Sequence, residues 1–76
     1  MSMARFEVRV SFKPGVLDAE GNAALDALRS LGFNASSVST AKVYRIETSE
    51  PQARVEEMCR KLLANPIIQD YRVSKR

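Results

Sequence analysis

Ser11, Thr40 and Cys59 are nucleophiles by type, but nothing in the sequence marks them as activated, and no histidine is present to do so. The commonest general base and the commonest metal ligand are therefore both missing. Cys59 falls on the apolar stripe of a helical segment, where a free thiol behaves as a small buried hydrophobe. Glu56 and Glu57 are neighbours in sequence. Adjacent helix positions point in different directions, so the two read as a solvated face and not as an acid–base pair. The stretch that most invites a ligand is KPGVLDAEG, Lys13 to Gly21. It lacks the G-x-x-x-x-G-K-[ST] and G-x-G-x-x-G patterns of phosphate loops. Gly15 and Gly21 bracket a turn, and the helix start behind it can attract an anion. The plainer alternative is a strand-to-helix corner whose free amides are satisfied by Asp18.

The surrounding elements follow from periodicity. Phe6, Val8, Val10 and Phe12 alternate with Glu7, Arg9, Ser11 and Lys13, the pattern of a half-buried strand. Asp18 is a good N-cap for a helix that lines up Ala24, Leu25, Leu28 and Leu31. Gly32 suits the left-handed position that ends it, with Phe33 packing back on Leu28. Val38, Thr40, Lys42, Tyr44 and Ile46 share one parity, and no Gly, Pro, Asn or Asp interrupts Val38 to Glu47. Residues 36–48 are either one long bent strand or two short ones joined near Ala41-Lys42. Lys42 on the apolar parity indicates a bulge, a strand end or a contact across an interface. Lys42 and Tyr71 together are read either as core-edge residues, the lysine laying its stem over the core, or as an interface pair.

Ser49 with Gln52 matches a capping box, with Pro51 in the first turn. Val55, Met58, Cys59 and Leu62 form a second amphipathic stripe, and Arg60 and Lys61 complement the helix dipole near its end. Pro66 confines Asn65 to extended backbone, so this helix should stop near Ala64. Ile67, Tyr71 and Val73 mark a last strand, with residues 1–4 and Ser74 to Arg76 expected to fray. The order implies a single α+β domain over residues 1–76, with both helices on one face of an antiparallel or mixed sheet. A ferredoxin-like split βαβ, two-layer sandwich is the natural arrangement.

A chain of 76 residues has a marginal core, and with one cysteine it has no internal disulfide to compensate; oligomerisation is the expected remedy. The formal charge of +3, from 12 basic and 9 acidic residues of interspersed sign, suits an acidic partner without demanding nucleic acid. The outward parity of the first strand carries Arg5, Glu7, Arg9 and Ser11, so the aromatic platform of an RNA-binding sheet is absent. No segment has the roughly 20 apolar residues of a membrane span, and a cytoplasmic setting is expected.

KPGVLDAEG, the Leu25 to Phe33 segment with its LGF ending, and above all CRKLLANPIIQDYRV, Cys59 to Val73, resemble the PurS family. The resemblance runs from about Phe6 to Val73. It implies the small subunit of phosphoribosylformylglycinamidine synthase, an enzyme of purine synthesis that uses ATP and ammonia drawn from glutamine. The resemblance further implies no catalytic residue, cofactor or metal on this chain, since ATP and glutamine are handled by a large synthetase subunit and a glutaminase subunit. Its role would be to bridge those two and support ammonia transfer, as a homodimer or larger assembly. Lys13, Gly15, Asp18, Lys42, Asn65, Pro66, Asp70 and Tyr71 are the family-motif and interface candidates. Two positions depart from the family pattern. Ala19-Glu20 stand where Pro-Gln is frequent, and Ala41 stands where Gly is frequent, which favours a continuous strand there. A small-molecule-sensing module of the ACT type also places a Pro-Gly corner after its first strand, as at Pro14-Gly15. The Lys61 to Tyr71 run argues against it.

Overall fold

A computed structural model describes residues 2–76. β1 spans Ala4–Phe12, α1 Ala19–Ser30, β2 Ala41–Thr48, α2 Gln52–Met58 and β3 Gln69–Lys75. The sheet order is β2-β1-β3, and both pairings are antiparallel. The alternation in β1 does what its period requires: Phe6, Val8 and Val10 are buried, while Arg5 and Arg9 are exposed. α2 lies across this apolar face, and Val55, Cys59 and Ala64 meet the three β1 residues in the core. Ala4, Tyr44, Ile46, Leu63, Tyr71 and Val73 pack around the margin and stay partly exposed. Val8, Val55 and Cys59 are fully buried, and a buried valine contributes about 1.5–3 kcal/mol. Such a core is small for a chain of this length.

The α+β class and the antiparallel sheet are as the sequence implies, but only α2 lies on the sheet. α1 contributes nothing to the core. β1 and β2 are antiparallel neighbours, with Ser11 opposite Ala41, so the chain between them leaves and rejoins the same end of the sheet. α1 and the extended segment 33–40 therefore form an arm beyond that end. The molecule measures 53 × 24 × 14 Å, against about 30 Å for a nine-residue strand. Its radius of gyration is 15.8 Å, where a compact chain of this size would have roughly 11 Å.

Local details depart from the periodic reading in four places. The capping box does not form: Pro51 itself is the N-cap, without a side-chain bond, and Gln52 is the first helical residue. After Met58 the helix widens into a π turn, Cys59–Leu63, closed by Ala64 N–H on Cys59 O at 2.9 Å. The inserted residue rotates Leu62 out to 82 % exposure and brings Ala64 into the core; the helical run does end near Ala64 as expected. Ile67 lies in the turn before β3 and is exposed, so it is not a core-facing strand residue. Ser74 and Lys75 pair with Glu7 and Phe6, and Arg76 N–H donates to Arg5 O at 2.7 Å. The expected frayed tail is thus an edge-strand end. β2 is a single strand that begins at Ala41, and the register passes Lys42 without a bulge.

Candidate functional site

The corner after β1 is built by backbone chemistry. Lys13 O accepts from Val16 N–H at 3.1 Å, and Gly15 has φ +87°. Proline at the second position and a positive φ at the third define a type II turn. Lys13 N–H in turn donates to Ile68 O at 2.9 Å, tying the corner to the entry of β3.

Asp18 then does more than cap α1. Its carboxylate accepts from Gly21 N–H at 2.9 Å, from Thr40 N–H at 2.7 Å and from the Thr40 hydroxyl at 2.9 Å. One side chain therefore starts the helix and pins the returning segment to it. The Gly21 amide, then the Thr40 amide, holds the Asp18 carboxyl below the usual carboxylate range; partial burial opposes this, and the Thr40 hydroxyl adds to it. Donors aimed at a carboxylate favour its charged form. Gly21 is buried, and a Cβ there would lie 2.6 Å from Val38 O. The arm is a helix and a strap in direct backbone contact. At its tip Gly32 takes φ +93°, and Phe33 N–H reaches Leu28 O while Gly32 N–H reaches Arg29 O, the paired bonds of a Schellman ending.

Five of the eight candidates line one cleft of about 770 Å³ at this end of the sheet: Lys13, Gly15, Asp18, Asp70 and Tyr71. Lys13 Nζ lies 3.7 Å from Asp70 Oδ1. Lys42 sits on the opposite, core-side face. It and Tyr71 flank Val10 from either side in one row, and its ammonium lies 5.6 Å from the Tyr44 ring centroid. Lys42 is thus near the start of its strand and exposed, with its ammonium over the Tyr44 ring. Asn65 and Pro66 stand apart, in the turn before β3. Asn65 Oδ1 accepts from Ile67 N–H at 3.0 Å, Asn65 O accepts from Gln69 N–H at 2.8 Å, and Asn65 N–H donates to Gln69 Oε1 at 2.8 Å. These bonds make the turn self-contained.

Thr40 as the partner of Asp18, Gly21 as a close-packing position and the Arg9–Arg72 pair are what periodicity did not single out. Outward parity marks Arg9 as exposed, but only the register places Arg72 directly opposite it. Both line the cleft. Gly21 had a signal, a glycine in the first turn of a good helix, where the residue is costly unless space demands it.

Chemically the cleft offers charge and hydrogen bonds, and its Thr40 hydroxyl is spent on the Asp18 carboxylate. Cys59 is buried on the other side of the sheet, and burial, then Glu56, pushes its thiol up. Among the described residues no group of three His, Cys, Asp or Glu side chains could hold a metal ion. No helix among them is long and apolar enough to cross a membrane.

A family model described as PurS, phosphoribosylformylglycinamidine (FGAM) synthase, matches residues 5–76. The Archaeoglobus fulgidus phosphoribosylformylglycinamidine synthase subunit PurS is 48% identical, over 88% of this chain and 91% of its own. The crystal structure of Bacillus subtilis PurS superposes with a TM-score of 0.89 at 36% identity, covering 96% of this chain and 98% of that one. Methanocaldococcus jannaschii PurS superposes with a TM-score of 0.84 at 41% identity, covering 96% and 95%. It is described as one of the subunits of formylglycinamide ribonucleotide amidotransferase in the purine biosynthetic pathway.

Proposed function

The chain belongs to the PurS family of phosphoribosylformylglycinamidine synthase subunits, and from that premise we propose that it is the accessory subunit that joins the enzyme's two catalytic partners. In this reading the large synthetase subunit uses ATP on the formylglycinamide ribonucleotide, the glutaminase subunit releases ammonia from glutamine, and this chain holds them so that ammonia passes between them. The complex is then an ATP-dependent carbon–nitrogen ligase with glutamine as nitrogen donor. The small subunit contributes no catalytic group, cofactor site or metal site of its own. In this reading it acts in the cytoplasm, without a nucleic-acid or membrane partner.

The observation that carries this reading is the amount of apolar surface left open around a small core. Leu17, Leu31 and Phe33 are exposed on the arm and its root, and Leu25 and Leu28 are only half covered. On the sheet, α2 lies nearest β3, and Tyr44 and Ile46 of β2, like Tyr71 and Val73 of β3, remain half exposed. A helix lacking a sheet and a sheet only partly covered by its helix complement each other between two copies, which supports a homodimer or larger assembly. Lys13, Gly15, Asp18, Lys42, Asn65, Pro66, Asp70 and Tyr71 then act as structural or docking positions, not catalytic ones. The test is reconstitution. Purified large subunit and glutaminase, assayed with glutamine as nitrogen source, should turn over faster when this chain is added. An unchanged rate would refute the proposal.

A further inference from the structure

The outward face of the sheet, the one α2 does not cover, is arranged in rows of charge. Arg5 lies opposite Glu47, with Nε 3.0 Å from Oε2. In the next row Glu7 meets Arg45 at 3.8 Å and Arg76 at 3.2 Å. The third row breaks the pattern: Arg9 is flanked by Val43 on β2 and by Arg72 on β3. Among the described residues neither guanidinium has an ion-pair partner. Like charges directly opposite destabilise a sheet, so this row costs the free chain something that an opposing charge would return. Ala41, Ser11 and Asp70 form the next row; the small Ala41 and Ser11 open the cleft beside the two arginines, and Asp70 is already paired with Lys13 at 3.7 Å.

We infer that the Val43–Arg9–Arg72 row is the docking point for an acidic segment of a partner subunit, with carboxylates received by the paired guanidiniums. The inference rests on the bridging role and names the surface that would serve it. Arg9 and Arg72 stand opposite in one row, and a guanidinium can receive a carboxylate through two N–H bonds. The partly exposed Val43 gives the segment an apolar contact beside the charges. The occupant is an acidic protein and not a second copy of this face. With Lys13 and Arg76 counted in, the face carries six basic and three acidic residues, so the chain's whole formal excess of +3 sits on it. Two such faces would repel. The face carries no aromatic residue, so it lacks the stacking surface of a single-strand binder.

The test uses the intact chain with Arg9→Gln and Arg72→Gln together, and separately Arg72→Glu, which supplies Arg9 with a cross-strand partner. Binding to the purified large subunit and to the purified glutaminase is measured by calorimetry at two salt concentrations, alongside thermal melts and light scattering. Expected is a loss of roughly tenfold or more in affinity for one partner, a shallower salt dependence, and a Tm equal to or above the parent's. Arg72→Glu should show the same loss with a raised Tm. Arg5→Gln, on the same face but in a paired row, should bind within about threefold of the parent. Parent-level binding by both row variants would overturn the assignment, as would an equal loss from Arg5→Gln. Loss of self-association with partner affinity retained would assign the face to a second copy and also overturn it. If the parent chain binds neither subunit, the bridging role itself fails, a result distinct from failure of the row.

Discussion

Replacing Gly21 with alanine should destabilise this protein, against the usual rule for helices. In an ordinary helix interior the exchange is worth about 1 kcal/mol of stability, because glycine has more freedom to lose. Here the new Cβ would lie 2.6 Å from Val38 O and 2.8 Å from Asp18 Oδ2. Real Cβ atoms do not approach a backbone oxygen so closely, and a carbonyl cannot rotate away as a side chain can. The strap must move, and moving it strains the Asp18 bonds to Thr40, at 2.7 and 2.9 Å. Overpacking of this kind costs about 1–3 kcal/mol. Set against the propensity gain, a net loss of about 1 kcal/mol is expected, which lowers Tm by roughly 4–8 °C in a domain this small. Thermal melts by circular dichroism, at matched protein concentration because self-association shifts Tm, measure it. A Tm raised by several degrees would show that the strap does not press on the helix, and the account of the arm would be wrong.

Asp18→Ala tests the same junction through pH. The folded-state pKa of Asp18 is depressed, so its contribution is complete above the unfolded value of about 3.9 and disappears as pH falls through the folded value. The Tm gap between parent and variant should be widest near neutrality and narrow below about pH 4; a gap constant down to pH 2 would contradict the charged-carboxylate pin. Leu31→Ser with Phe33→Ser removes the apolar tip of the arm, where both residues are exposed. Light scattering should show a lower association state with helix content unchanged, and an unaltered mass would count against the arm as an oligomer contact. Lys13→Ala should weaken binding to the partner subunits more than it lowers Tm. Its ion pair with Asp70 is long and exposed, worth below about 1 kcal/mol, so a large fall in Tm with intact partner affinity would refute the docking role.

What was legible in the sequence was whatever depends on neighbours along the chain. Period two in Phe6 to Phe12 marked the strand and its buried side. Asp18 and Gly32 marked both ends of α1; Phe33, expected to pack on Leu28, is exposed, and its N–H donates to Leu28 O. For residues 36–48 the sequence allows one long strand or two short ones; the structure shows neither, since the strand begins only at Ala41. What was not legible depends on where elements meet. An amphipathic stripe says that a helix will be covered, not by what, and α1 turned into an arm because β1 and β2 pair antiparallel at its base. The Val55-to-Leu62 spacing assumes 3.6 residues per turn, and one π turn moved Leu62 outside. Ser49 lost its capping role because Pro51 took the cap position in extended backbone. In the cleft, Lys13, Gly15 and Asp18 were visible as a motif. Thr40 completing the Asp18 site and Arg72 facing Arg9 are matters of register, which one sequence does not print.

The most direct test of the central claim compares two nitrogen sources in the same reconstituted mixture. The large synthetase subunit and the glutaminase are assayed with glutamine and, separately, with ammonium salt, while this chain is titrated in. A bridging subunit should raise the glutamine-dependent rate to a plateau at a fixed ratio of chains and leave the ammonia-dependent rate nearly unchanged. Equal stimulation of both rates would place its action on the synthetase chemistry, and no stimulation of either would remove the bridging role; both results contradict the account.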